Sequence, residues 1–139
     1  MKKVTFIVEG VKGKQRPRAR ILNGHAIIYT PKETKDYEKQ IAKQYLAVGG
    51  EKFDKDVPVS VSVDVYQAVP KSVSKKKREE FLTLGKRPMK KPDLDNCVKC
   101  LDGLNGIAYE DDSQIVEIHA RKFWAEEDFM MVTISDASL

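Results

Sequence analysis

The chain has 139 residues, of which 41% are hydrophobic and 33% charged, with a net charge of +4. This balance fits one globular domain over residues 1–139 and excludes wholesale disorder. No apolar run approaches the roughly 18–20 residues of a membrane span. The apolar stretch behind Lys2 and Lys3 is too short for a secretory leader, and two cysteines exclude a disulfide framework. A reducing cytoplasm is therefore the expected compartment.

Residues 3–9 alternate, with Val4, Phe6 and Val8 on one face, and predict a first strand. In the segment that follows, Lys12, Lys14, Arg16, Arg18 and Arg20 recur at every second position. In an extended chain all five point to one side, spaced at about 6.6–6.8 Å, roughly the spacing of successive phosphates on one nucleic-acid strand. The plain alternative is an edge strand guarded by charge. Asn23-Gly24 predicts a hairpin turn joining strands near 19–22 and 26–29. Thr30-Pro31-Lys32-Glu33 predicts a helix start, with Thr30 as N-cap, Pro31 at the first helical position and Glu33 closing a capping box. That helix runs to about residue 46 and stops at Gly49-Gly50, burying Tyr37, Ile41 and Tyr45.

The valines at 57, 59, 61, 63 and 65 predict a strand buried on one face. Residues 74–82 read as a short charged helix, and 83–92 as an exposed connection. Between Lys71 and Lys91 lie nine bases and two acids; Lys75, Lys76, Lys77, Arg87 and Lys91 are candidate phosphate contacts, with a solvated loop as the alternative. A second helix over 94–104 ends at Asn105-Gly106. After a loop at 110–114 come strands over 115–125 and 129–135, joined as a hairpin through Glu126-Glu127-Asp128. The fold class is α+β: a single mixed sheet of about five to six strands packed against two main helices.

Charge is unevenly placed. From Asp93 to Glu117 there are seven acids and one base, so that window is −6 and the remainder +10. The basic remainder suits a polyanion and the acidic island a divalent cation. On a helical wheel from Leu94, residues 94, 97, 98, 100, 101 and 104 fall within about 160°, while Asp95, Lys99 and Asp102 share about 60° opposite. Asp93 takes the N-cap position. The bland reading is a capped amphipathic helix with an Asp95–Lys99 pair. Against it stand Glu110, Asp111 and Asp112, one short loop later, because converging carboxylates repel unless a cation such as Mg²⁺ relieves them. Cys97 and Cys100 have CxxC spacing but fall on the apolar stripe, which favours packing over zinc or redox chemistry. Tyr109 and Trp124 read as packing residues before base-stacking ones.

The run Lys91-Pro92-Asp93-Leu94-Asp95-Asn96, with Lys99, Asp102-Gly103-Leu104-Asn105-Gly106 and Asp111-Asp112-Ser113-Gln114, resembles the RusA family of Holliday junction resolvases. Lys14-Gln15-Arg16-Pro17-Arg18 looks like that family's basic segment, and the order of elements fits over nearly the whole chain. The resemblance implies a Mg²⁺-dependent endodeoxyribonuclease, with Mn²⁺ able to substitute, that resolves four-way DNA junctions as a homodimer in recombination and repair. No organic cofactor is implied, and members are common in prophages. It implies Asp93, Asp95, Lys99 and Asp112 as catalytic residues, with Asp93, Asp95 and Asp112 as metal ligands and Asp111 as an additional candidate. Gly103 stands where alanine is usual and is expected to loosen the helix end. Two paired cuts need two sites, and one chain carries one acid cluster, so a two-fold homodimer is the economical solution. The competing classes are a non-catalytic basic nucleic-acid-binding module and a redox protein using Cys97 and Cys100.

Overall fold

The computed structural model describes residues 2–83 and 85–139. In chain order the elements are strands β1 (Lys3–Glu9), β2 (Arg18–Leu22) and β3 (His25–Tyr29), helix α1 (Lys32–Ala47), strand β4 (Val59–Ala68), helices α2 (Lys75–Thr83) and α3 (Leu94–Lys99), 3-10 turns at Cys100–Leu104 and Asp112–Gln114, and strands β5 (Ile115–Ala125) and β6 (Phe129–Asp136). The class is α+β with a mixed sheet, as expected. The sheet has four strands in the order β1-β6-β4-β5, and β2 and β3 form a separate two-stranded ribbon. The expected single sheet of five to six strands is thus divided in two.

The alternating valines make β4 the centre of the sheet. Val59, Val61, Val63 and Val65 are all but inaccessible, and they face α1, α3 and the turn at Cys100–Leu104. Strand β6 pairs antiparallel with β4, while β5 pairs parallel with it on the other side. The expected β5–β6 hairpin does not form, because β4 lies between the two strands. The parallel β4–β5 pair needs a long crossover, and residues 69–114 supply it together with α2 and α3. β1 closes the other edge against β6, and Phe6 and Val8 enter the core as their alternation predicts.

The helices all but follow their apolar periodicity. α1 buries Thr34, Tyr37, Ile41 and Tyr45. It starts two residues after Thr30, with Pro31 extended at ψ 145° in the N-cap position and no side-chain cap, so the expected Thr30–Glu33 capping box is absent. The 94–104 helix is α-helical only to Lys99 and then tightens into a 3-10 turn. Gly103 lies in that turn against the α1 backbone: a Cβ there would come within 2.4 Å of the Glu38 carbonyl oxygen. Far from loosening the helix end, glycine permits the closest approach of the two segments. The Asn23-Gly24 turn is as expected, both residues taking positive φ at 50° and 77°. No helix among the described residues is long and apolar enough to cross a membrane.

Because the obstructing atoms at Gly103 are backbone, Gly103→Ala must part α1 from the 3-10 turn. A loss of about 1–3 kcal/mol is expected from such overpacking, read as a lower urea midpoint with an unchanged slope.

Candidate active site

The path of residues 10–17 builds one wall of the site. Tyr37 donates its hydroxyl hydrogen bond to the Gly10 carbonyl at 2.9 Å. Gly13 lies against α3, where a Cβ would stand 2.9 Å from Pro92 Cβ and 3.2 Å from Asn96 Cβ. The Lys14 amide donates to the Asn96 carbonyl at 2.9 Å, and the Gln15 amide to Thr34 Oγ1 at 3.1 Å. Lys14 Nζ donates to Asp102 Oδ2 at 2.8 Å and to Glu38 Oε2 at 3.3 Å. Partial burial opposes the Lys14 charge, but its hydrogen bonds to Asp102 and Glu38 outweigh that and raise its pKa above the ordinary lysine value. Lys14 therefore points inward to two carboxylates, and the expected row of five cations on one side is not kept. Arg18 and Arg20 lie on β2, Lys12 is exposed, and Arg16 turns to the site.

The other wall is the start of α3. Asp93, Asp95, Asn96 and Lys99 line a cleft of about 400 Å³ opposite Lys14, Gln15, Arg16 and Pro17. Asp93 occupies the N-cap position without capping; its Oδ1 accepts from Lys91 Nζ at 2.8 Å. That hydrogen bond and the Lys91 charge hold the Asp93 carboxyl below the usual carboxylate range. The preceding turn is fastened from the core, where buried Gln67 donates to the Lys91 carbonyl at 3.1 Å. Asp95 and Lys99 are 3.9 Å apart and both largely exposed. Such a pair contributes only about 0.3–0.5 kcal/mol to stability, so neither side chain is committed to holding the fold.

The downstream acids divide their roles. Asp111 caps the turn Asp112–Gln114, its Oδ2 accepting from the Ser113 amide at 3.1 Å. Hydrogen bonds from Ser113 lower the Asp111 pKa. Glu110 pairs with Lys52 at 2.7 Å. Asp112 instead lines a second hollow, of about 270 Å³, that also includes Lys99 and Asp102. Lys99 thus borders both spaces. Gln114 anchors the acidic loop: its amide donates to the carbonyls of Asp54 and Val57 at 2.9 and 3.1 Å, and its oxygen accepts from the amides of Glu110 and Asp111 at 2.8 and 3.2 Å. Gln114, Glu38 and Gly13 escape a search for reactive side chains. Only the position of Gln114, closing a capping box behind Asp111, is visible in the sequence.

Among the described residues no three His, Cys, Asp or Glu side chains gather closely enough to hold a metal ion. Asp93 and Asp95 share the cleft, while Asp112 lies in the adjoining hollow. Two hard carboxylates still suit Mg²⁺, which takes one or two of them together with water and phosphate oxygens.

The second basic block is anchored on the end of β5. Phe81 of α2 stacks on Trp124 at 5.3 Å, and Arg78 pairs with Glu126. Lys86, Arg87 and Lys90 lie over the rings of Phe81, Phe123 and Trp124 at 5.3, 4.4 and 5.4 Å. Lys75, Lys76 and Lys77 are exposed on the first turn of α2. Tyr109 is buried and Trp124 packs on Phe81, as expected of packing residues. Cys97 and Cys100 are fully buried. Burial pushes their thiols up to about 11 and about 12, which removes the thiolate that redox chemistry needs.

Two comparisons bear on this arrangement. The sequence model of one family, Endodeoxyribonuclease RusA, matches residues 10–135. The chain is also 39% identical over 143 residues to "Uncharacterized protein YqaN" of Bacillus subtilis (strain 168), covering 97% of each chain.

Gln114→Leu keeps the side-chain volume but strips four hydrogen bonds from part-buried backbone groups. A stability loss of about 1–3 kcal/mol is expected, together with faster hydrogen exchange at the Glu110 and Asp111 amides.

Proposed function

The chain belongs to the RusA endodeoxyribonuclease family, and from that membership we propose that it is a Mg²⁺-dependent nuclease that resolves four-way DNA junctions by paired nicks, acting as a homodimer. The observation that carries the reading is the cleft itself. The carboxylates of Asp93, which accepts from Lys91, and of Asp95, loosely paired with Lys99, face a wall carrying Arg16 across one cleft. A phosphodiester needs such an arrangement: cations to receive its negative charge, and hard oxygen donors for a divalent ion.

In this reading Asp93 and Asp95 would hold the cation, with Asp112, in the adjoining hollow, as the third candidate acid. Asp111 is spent on its cap, which makes Asp112 the better candidate for the downstream acid. When bound, a divalent cation supplies charge neutralisation and Lewis-acid polarisation at the scissile phosphate. Arg16 seats the phosphate against the 14–17 wall. Lys99 stabilises the charge that develops on the non-bridging oxygens. Water attacks phosphorus in line, the bond to the 3′-oxygen breaks, and the ends are 5′-phosphate and 3′-hydroxyl. Lys12, Arg18 and Arg20 on one side, and Lys75, Lys76, Lys77, Arg87 and Lys91 on the other, carry the flanking phosphates. Lys14 contributes by positioning, since its ammonium is occupied by Glu38 and Asp102.

The decisive experiment is nicking of four-way and linear DNA with Mg²⁺ or EDTA. The wild type should cut junctions in Mg²⁺ only. Asp95→Asn should lose cleavage while keeping or gaining junction affinity, because the substitution removes a ligand charge and also repulsion of phosphate. Lys99→Ala should slow single-turnover cleavage by about 10²–10³-fold, the cost of a lost transition-state donor, with little change in affinity. Junction binding without any Mg²⁺-dependent cutting would identify a non-catalytic nucleic-acid-binding module instead.

Replacing Arg16 and Arg18 together with alanine should flatten the plot of log affinity against log salt by up to about two units, since each phosphate contact contributes a slope of about −0.9. The loss should be the same for junctions of different sequence, because phosphates carry no base identity. An unchanged slope would shift the phosphate contacts to the 71–91 block.

A further inference from the structure

Every second residue of β4 is buried on the core face of the sheet. At 59, 61, 63 and 65 that residue is valine, but at 67 it is glutamine, 2% exposed. Gln67 Nε2 donates to the Lys91 carbonyl at 3.1 Å. Its Oε1 is buried and accepts no hydrogen bond among the described residues. Turning the amide over brings no relief, because it sets one oxygen against another at Lys91. Gln67 therefore makes one hydrogen bond and leaves one buried acceptor unpaired, and the unpaired acceptor destabilises by more than an ordinary hydrogen bond stabilises. As a contact that holds the fold, Gln67 is a net loss.

The acceptor does not need this donor either. Lys90 and Lys91 are exposed, and water can satisfy a carbonyl in such a turn about as well as a side chain does. Yet the preceding carbonyl is held in the same way, with Lys122 Nζ donating to Lys90 at 2.6 Å. Lys122 stands opposite Val65 in the parallel β4–β5 pairing, and Trp124 opposite Gln67, so these side chains share the core face. The Lys90 ammonium rests over the same Trp124 ring. The sheet thus holds one surface turn at two successive carbonyls, which belong to the peptide planes on either side of the Lys91 Cα. Fixing both planes fixes the backbone from which the Lys91 side chain departs. That side chain ends on Asp93, Nζ donating to Oδ1 at 2.8 Å. A continuous chain of contacts therefore runs from the sheet to a carboxylate of the cleft.

We propose that Gln67 and Lys122 are positioning residues for the cleft: by holding the carbonyls of Lys90 and Lys91 they restrict the Asp93 carboxylate to one orientation and so raise the affinity of the site for a divalent cation. The inference rests on the nuclease reading above and assigns to it two side chains that do not line the cleft. A carboxylate already held in place loses less freedom when a cation binds, and contacts behind a ligand tune its affinity in this way. The unpaired Gln67 oxygen is then a loss of stability kept for the sake of the site.

Gln67→Met keeps an unbranched side chain and removes the donor and the buried oxygen without changing charge. The test compares it with the wild type and with Lys122→Met by urea unfolding, by Mn²⁺ titration of the DNA-free protein followed by electron paramagnetic resonance, and by junction cleavage across a range of Mg²⁺. Gln67→Met should unfold at a urea midpoint no lower than that of the wild type. Its Mn²⁺ dissociation constant and its half-saturating Mg²⁺ should each rise by about 10- to 100-fold, the usual effect of losing a contact behind a metal ligand. Junction affinity in EDTA should hold, and the single-turnover rate should recover at saturating Mg²⁺. Lys122→Met should also weaken Mn²⁺ binding, although losing a nearby cation would by itself strengthen it, so the two explanations differ in sign. A lower urea midpoint for Gln67→Met would make it an ordinary core contact and overturn the proposal. So would Mn²⁺ binding that is unchanged in Gln67→Met, or unchanged or tighter in Lys122→Met. A wild type that binds no Mn²⁺ and cuts no junction would overturn the nuclease reading and the positioning role together. A wild type that binds Mn²⁺ without cutting junctions, beside variants that bind it more weakly, would overturn the nuclease reading and leave the positioning role standing.

Discussion

The ammonium of Lys14 is the fastening on which the site depends. It lies between Glu38 of α1 and Asp102 of the 3-10 turn, where two helical segments already touch so closely that only glycine fits at position 103. Without a cation there, two carboxylates would face each other across partly buried space. With it, the 10–17 segment is drawn onto α3, and the amide of Lys14 closes on the Asn96 carbonyl. One side chain thus offsets a repulsion, joins α1 to the crossover and sets the distance between the two walls of the cleft.

The molecule separates charges that hold structure from charges left free to act. Lys14, Glu38, Asp102, Glu110, Asp111 and Arg78 have short, specific partners, as Asp93 has in Lys91 and Arg121 of β5 has in Asp64 of β4. Among the described residues Asp95 and Lys99 have only each other, at 3.9 Å and in solvent. The hydrogen bonds of Gln114 make the acidic loop rigid without using Asp112. The loops that carry the remaining cations are held in another way. The 83–91 connection rests its cations on the aromatic rings at the end of β5, so they are placed without being neutralised. The far side of the sheet supports that end, with Tyr66 stacked between Phe123 and Phe129 at 5.4 and 4.5 Å.

Where local periodicity carries the information, elements were legible. The valines of β4, the Tyr37–Ile41–Tyr45 stripe and the Asn23-Gly24 turn each depend on neighbours within a few positions, and each appears as expected. The buried stripe of α3 was legible for the same reason, and with it the exclusion of Cys97 and Cys100 from redox chemistry. The start of α1 was misplaced, because Pro31 stays extended and the first helical residue is Lys32. Thr30 supplies no cap, since the N-cap position falls on Pro31 without a side-chain hydrogen bond; one turn later the Thr34 hydroxyl accepts from the Gln15 amide, a partner 19 positions away.

The sequence by itself determined the elements, the family resemblance and the chemical inventory of the candidate site, because residue type and spacing along one helix or loop decide these. Only the tertiary structure decided which strands are neighbours. β4, whose Val59, Val61, Val63 and Val65 are all buried, lies between β5 and β6. Only the tertiary structure turned Lys14 inward, freed Asp93 from its cap by giving it Lys91, and spent Asp111 on a cap while leaving Asp112 in the hollow. Each of these depends on groups distant in sequence or on two local partners competing for one side chain. No single-strand or single-helix pattern records which partner wins, because the winner is set by the distance at which the folded chain holds them.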